Sequence, residues 1–326
     1  MHLVLNTFGT YLQKENGLFA VVSPEGKQVI YPDKIRTISI SGGTRISSDA
    51  ALLAVDNEID VIFTDRMGKP MGRLWSVKYG SISNIRRRQI DFAASQSAVH
   101  WIKDIIVRKI DNQAALLISL EDNNKHQKAV EKCINRLNTY KEKIREQNAQ
   151  LINDIAPSLR GWEGAAAKVY FETLSGMLPE SVRFEQRSKH PAKDIFNMLL
   201  NYGYGMLYGK IEGALIKSGI DPYSGVFHRS DYNRPVLAFD IIELFRVWID
   251  YVVFTLAEQE VIDEDCYSIK DGAYWLESQG KRIFIQSVND YLEEKIKMNG
   301  ISRSRATHIE LYCQNLAQKF LKFNNK

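Results

Sequence analysis

The sequence predicts an α+β protein, with a small, mostly β N-terminal domain over residues 1–85 and a larger all-α domain over residues 92–326. Three observations carry that reading. Short apolar runs punctuated by turn residues fill the first part of the chain. From Phe92 onward, apolar residues recur at helical spacing over long segments. Between the two, Arg86-Arg87-Arg88 makes residues 86–91 a basic linker.

The elements follow in order. Leu18 to Val22 and Gln28 to Tyr31 flank Ser23-Pro24-Glu25-Gly26-Lys27, a hairpin connection. Ile35 to Ile40 alternates ahead of Ser41-Gly42-Gly43, and a short helix from Ala50 to Val55 follows Ser48 as its N-cap. Ile59 to Phe63 and Met71 to Trp75 read as two further strands around a turn. Beyond the linker, Phe92 to Lys109 reads as a helix. Asn112 to Ile155, with Val130, Ile134, Leu137 and Ile144 on one face, reads as two helices or a helical hairpin. Ala156 to Gly176, Pro191 to Ser218, Val236 to Glu260 and Val288 to Phe323 complete the helical set, and Gly219 closes the second of these as a C-cap.

A chain of 326 residues, 44% hydrophobic and 25% charged, has the composition of a globular protein. A net charge of +4 permits nucleic-acid binding without requiring it. Cys133, Cys266 and Cys313 are odd in number and lack metal or disulfide spacing, so they read as reduced thiols. No basic-then-apolar leader opens the chain, and no run approaches the ~18 apolar residues that span a bilayer. The expectation is a soluble cytoplasmic protein with no membrane partner.

Three segments carry chemistry. Val236 to Leu256 is apolar nearly all round and so predicts a buried helix, yet Asp240, Glu243 and Asp250 recur on one face of it. Buried carboxylates need cationic compensation. A metal ion and a buried ion pair with Arg246 or Arg234 meet that need equally. Glu163 precedes Gly164-Ala165-Ala166-Ala167, small residues that let another helix or a backbone approach. It is either a ligand in a crowded interior or an exposed acid beside a packing seam. His228 ends the loop Asp221 to His228, as a ligand or as an ordinary carbonyl-bonded histidine. One imidazole with two or three carboxylates makes an oxygen-rich site, suited to Mg²⁺ or Mn²⁺. Arg160, Arg229, Arg234 and Arg246 lie near these acids, as phosphate contacts or as charge balance.

Taken together, these segments resemble the CRISPR-associated adaptation integrase family, over essentially the whole chain. The resemblance rests on R-G-W-E-G (Arg160 to Gly164), L-N-Y-G-Y-G-M-L-Y (Leu200 to Tyr208), G-I-D-P-Y-S-G-V-F-H (Gly219 to His228) and D-I-I-E (Asp240 to Glu243), in that order and spacing. It implies a metal held by Glu163, His228 and Glu243, with Asp240 as an accessory ligand or a support behind the ligands. It also implies a phosphate contact at Arg246, and an N-terminal domain used for dimerisation and DNA contact. The implied partners are double-stranded and branched DNA, a second copy forming a homodimer, and a small ferredoxin-like adaptation protein bridging two dimers. The implied reaction is metal-dependent transesterification, in which a 3′-hydroxyl of incoming DNA joins the CRISPR repeat, or endonuclease cleavage when water attacks. Arg160, Arg229 and the Arg86-Arg87-Arg88 run are the further DNA-binding candidates. Two other readings stand beside it: a metal-dependent phosphoesterase of a small phosphoester or nucleotide, and a non-catalytic DNA-bridging scaffold.

Overall fold

The computed structural model describes every residue except 36, 66–69, 75–79, 122–123, 229–233 and 325–326. Among the described residues, the N-terminal region holds two four-stranded sheets, one α-helix and a short 3-10 turn at Pro32–Lys34. Strands β1 (His2–Leu5), β5 (Thr37–Ser41), β7 (Asp60–Thr64) and β8 (Pro70–Leu74) form the first, in spatial order β1-β5-β7-β8. Its β1–β5 and β5–β7 pairs are parallel and β7–β8 is antiparallel. Strands β2 (Tyr11–Glu15), β3 (Leu18–Ser23), β4 (Gly26–Ile30) and β6 (Arg45–Ile46) form the second, in order β4-β3-β2-β6. The β3–β4 hairpin pairs Ser23 with Gly26, as the turn chemistry of Pro24-Glu25 predicts. Helix α1 (Ser48–Asp56) is capped by Ser47, whose Oγ accepts from the Ala50 amide at 3.1 Å. The cap is therefore one residue earlier than the expected Ser48. Leu12, Phe19, Ile38, Ala50, Ala54 and Val61 are fully buried in the core of this region.

A separate apolar core runs from Ile85 to Phe320. It is built on α2 (Gly80–Ala93), α3 (Gln96–Leu120), α4 (Gln127–Glu146), α5 (Ile152–Met177), α6 (Ile195–Lys217), α7 (Val236–Ile242), α8 (Arg246–Glu258), α9 (Ser278–Glu293) and α10 (Arg305–Lys322). Residues 86–91, expected as a linker, lie inside α2. Ile82, Ile85 and Gln89 of that helix are buried at spacings of three and four, so one face packs while Arg86 and Arg87 face solvent.

Two hairpins interrupt the helices of the C-terminal region: β9 (Tyr267–Lys270) with β10 (Ala273–Leu276), and β11 (Lys295–Met298) with β12 (Ile301–Ser304). Val288 to Phe323 is thus not one helix. The end of α9, a hairpin and α10 share it. Both turns carry a positive-φ pair, Asp271-Gly272 and Asn299-Gly300, the signature of a type I′ turn. Gly203 of α6 marks a close helix–helix approach. A Cβ there would stand 2.5 Å from Ile249 Cγ2 of α8 and 3.0 Å from Phe284 Cζ of α9.

The expected helix over Val236 to Glu260 is broken at residues 243–245. Leu244 and Phe245 donate to the carbonyls of Ile241 and Ile242, three residues back, which tightens the turn. The Leu244 carbonyl accepts instead from Asn112 Nδ2 of α3 at 3.0 Å. The Asn112 side chain thus satisfies a carbonyl that the interrupted ladder leaves open.

Candidate active site

The three acids that sequence periodicity puts on one stripe take different partners, and only Asp250 lies beyond the break. Asp240, with its side chain fully buried, turns toward the loop of residues 221–228. Its Oδ2 accepts from the amides of Val226 (2.8 Å) and Phe227 (3.1 Å). Its Oδ1 accepts from the His228 amide (3.0 Å) and lies 2.7 Å from His228 Nδ1. Glu243 faces a cleft between α3, α5 and α6. Asp250 turns elsewhere, accepting from Tyr170 at 2.9 Å and from Tyr204. Burial pushes the Asp250 carboxyl up to about 6, against the pull of those two hydroxyls and of Arg246 and Arg187.

The cleft, about 690 Å³, is lined by Glu163, His228, Glu243, Arg246, Lys109 and Tyr204 among others. Helix α5 presents Glu163. Of the small residues after it, Ala166 packs into the core as a crowded interior would require, but the others do not all follow. Gly164 and Ala167 line the cleft, and a Cβ on Gly164 would meet nothing within 4 Å. They keep the floor open beside the carboxylate.

His228 is held from three sides. Gln89 of α2 donates to the carbonyls of Asp221 and Ser224 (both 2.8 Å) and accepts from the Asp221 amide (3.1 Å). Arg160 donates to the Phe227 carbonyl at 2.7 Å and lies over the Phe227 ring. Asp240 fixes the amides of residues 226–228. A carboxylate facing Nδ1 places the ring proton there and leaves Nε2 as the nitrogen able to ligate.

Lys109 is the residue that the sequence pattern missed. Its Nζ lies 2.6 Å from Glu163 Oε1 and 2.6 Å from Glu243 Oε2. Burial alone would favour the neutral amine, but Glu243 and Glu163 reverse this and hold it charged. On the other side, Glu243 Oε1 takes Arg246 Nε at 2.9 Å. Burial pushes the Glu243 carboxyl up, and Arg246 and Lys109 more than offset it, holding it at about 2. Arg246 also donates to Tyr208 at 3.0 Å and lies over the Tyr204 ring. The Glu243–Arg246 ion pair weighed from sequence is therefore present, with Lys109 as a second cation. Trp101 to Ile110 also holds Lys103, Asp104 and Arg108, so nothing local set Lys109 apart.

The other candidates fall in different places. Arg160 is committed to the His228 loop. Arg88 donates to the Phe323 carbonyl and Asn324 at the C-terminus, while Arg86 and Arg87 are exposed on α2. Arg229 lies outside the described residues. Among the described residues, no three His, Cys, Asp or Glu side chains stand close enough to form a ready metal cage. Glu163 and Glu243 share the Lys109 ammonium instead. The three cysteines are buried free thiols, and no helix among the described residues is long and apolar enough to cross a membrane.

Comparison with known proteins gives one consistent answer. A family model described as "CRISPR associated protein Cas1" matches residues 3–290. "CRISPR-associated endonuclease Cas1 1" of Archaeoglobus fulgidus is 32% identical over 338 residues, spanning 97% of this chain and 95% of that protein. Among solved structures, a chain described as "Casposase bound to integration product" superposes with a TM-score of 0.75 at 19% identity, covering 100% of this chain and 96% of that one. A chain of the "Partial Cas6-RT-Cas1--Cas2 complex" superposes with a TM-score of 0.76 at 21% identity, covering 98% and 95%. At these identities the likeness of the two structures is one of fold.

Proposed function

This chain belongs to the CRISPR-associated Cas1 family, and from that premise we propose that it is a divalent-metal-dependent DNA endonuclease and integrase of CRISPR adaptation. The observation that carries the reading is a single cleft faced by two carboxylates, an imidazole and a guanidinium from separate elements. The donor set fits a hard cation. Glu243 Oε2 is buried and makes no hydrogen bond, its contact with Lys109 being off hydrogen-bond geometry. Glu163, Glu243 and His228 through Nε2 would hold Mg²⁺ or Mn²⁺. Asp240, with both oxygens occupied by the loop, suits a support behind His228 better than a ligand.

A cation held there would polarise the phosphoryl oxygen, lower the pKa of the attacking hydroxyl and offset charge on the leaving oxygen. The protein's own groups do the rest. Asp240 keeps the His228 ring in one orientation. Tyr208 and Tyr204 keep the Arg246 fork at the cleft wall, where it meets a phosphate oxygen. Lys168 and Lys189 line the same cleft and attract the DNA backbone. In the joining reaction, the 3′-hydroxyl of one strand attacks a phosphodiester of the CRISPR repeat. A new P–O bond forms as the old one breaks, and the displaced strand end leaves as a 3′-hydroxyl. Water in place of the attacking strand gives cleavage.

The partners that accompany this reading are branched and double-stranded DNA, a second copy of the chain, and a small ferredoxin-like adaptation protein bridging two dimers. The fold shared with a chain of a Cas1–Cas2 complex supports the last. The test is separate substitution of Glu163, His228 and Glu243 by Ala. Each should abolish cutting and joining in Mn²⁺ while largely preserving DNA affinity, which phosphate contacts elsewhere carry. Near-normal joining by any one variant removes that residue from the site.

A further inference from the structure

Lys109 projects from the buried face of α3, 9% exposed, into the space between two carboxylates that belong to different helical segments. It is a monodentate bridge: one ammonium, one oxygen of Glu163 and one oxygen of Glu243, both at 2.6 Å. A divalent cation shared by those two oxygens needs the same position. An ammonium and a metal ion cannot both fill it, because like charges at that spacing repel strongly. Lysine is suited to yield, since its charge rides on a flexible four-carbon stem.

The structure also offers the ammonium somewhere to go. Gln113 lies one turn further along the same face of α3, is 2% exposed, and lines the same cleft. Its Oε1 is buried and has no hydrogen-bond partner. Residues four apart on a helix are neighbours. A lysine leaving the carboxylates thus finds an unpaired acceptor within reach, in a cleft where the phosphate of a bound strand adds further negative charge.

We propose that Lys109 is an exchangeable internal counter-cation: it holds Glu163 and Glu243 together in the metal-free protein and is displaced by the divalent ion toward Gln113. The proposal rests on the metal site of the preceding subsection, and deepens it by making metal uptake a cation exchange. Lys109 is here a positioning residue whose removal changes metal affinity in a direction that a simple scaffold role would not.

The direct test is Mn²⁺ uptake by the full-length protein, followed as loss of the free-ion electron paramagnetic resonance signal. Lys109→Met should bind Mn²⁺ tighter than wild type, on the order of tenfold, because no competing cation must leave. Equal or weaker binding overturns the exchange. A second measurement uses wild type alone, so that it stands even if the variant fails to fold. Acetylation by an activated ester, read by mass spectrometry, should show Lys109 becoming more reactive when Mn²⁺ is added, with the exposed Lys34 as internal reference. Unchanged or reduced Lys109 reactivity also overturns it. If wild type binds Mn²⁺ but neither expectation holds, only the role of Lys109 falls. If neither protein takes up Mn²⁺, the metal site itself falls with it.

Discussion

Asp240 Oδ1 lies 2.7 Å from His228 Nδ1 and accepts the amide of the same residue at 3.0 Å. One buried carboxylate therefore sets both the backbone and the ring of the histidine that faces the cleft. Asp240→Asn keeps the shape but replaces an acceptor oxygen with a donor that faces amide N–H groups. The substitution should cost roughly 2–4 kcal/mol in stability and weaken Mn²⁺ binding about 10–100-fold. Thermal melts with chelator and with Mn²⁺ measure both. An unchanged metal response would separate Asp240 from the site.

Glu243→Gln tests the ion-pair side of the same cleft. In chelator, Gln leaves Lys109 and Arg246 facing a neutral group inside the protein, at a cost of about 3–5 kcal/mol. Saturating Mn²⁺ should stabilise wild type by mass action and the variant far less. A variant as stable as wild type in chelator would mean that the two cations find other partners.

Asp250 supplies a pH dependence of known sign. Its carboxyl is raised to about 6 in the fold against an ordinary value of 3.8, so the folded protein holds the proton more tightly than the unfolded chain. Stability contributed at low pH is therefore lost as pH climbs from about 4 to about 6. Asp250→Asn removes that loss. Relative to wild type, the variant should gain up to about 3 kcal/mol between pH 4 and pH 7. A pH-independent difference in denaturant unfolding would refute the assignment.

Gly203→Ala should destabilise by about 1–3 kcal/mol through overpacking against Ile249 and Phe284. Adding Ile249→Ala, which removes the Cγ2 nearest the new methyl group, should make the two changes cost less together than their sum. Strict additivity in the double-mutant cycle would show that the helices part by another route.

The basic run divides. Arg86→Ala with Arg87→Ala should lower the salt slope of DNA binding by up to ~2 and affect sequences about equally, if both contact phosphate. Arg88→Ala should instead loosen the C-terminal end that it ties down. A salt slope untouched by the double substitution would leave the exposed pair as a solvated helix face.

What was legible in the sequence was local. Alternation and turn residues marked β3, β4, β5 and β7, and helical periodicity marked the bulk of the C-terminal region. Glu163, His228 and Glu243 were legible because acids and a histidine among apolar or small neighbours are out of place. The break at residues 243–245 was not, since no Gly or Pro marks it and the group that meets its Leu244 carbonyl, Asn112, is 132 residues away from Leu244 in sequence. Lys109 and Gln89 were hidden for the same reason: each acts on a partner far along the chain. The two C-terminal hairpins were readable from Asp271-Gly272 and Asn299-Gly300, but lay beside stretches whose helical spacing dominated the pattern.

The loop ending at His228 has a consequence for how the chain tolerates change in length. Loops ordinarily accept insertions because their backbone groups are satisfied by water. Between Asp221 and His228, side chains from α2, α5 and α7 occupy the amides of residues 221, 226, 227 and 228 and the carbonyls of 221, 224 and 227. One residue added or removed would put these anchors out of phase with their partners and swing the imidazole off the cleft. The loop has no slack: its length is as much a part of the site as the histidine it delivers.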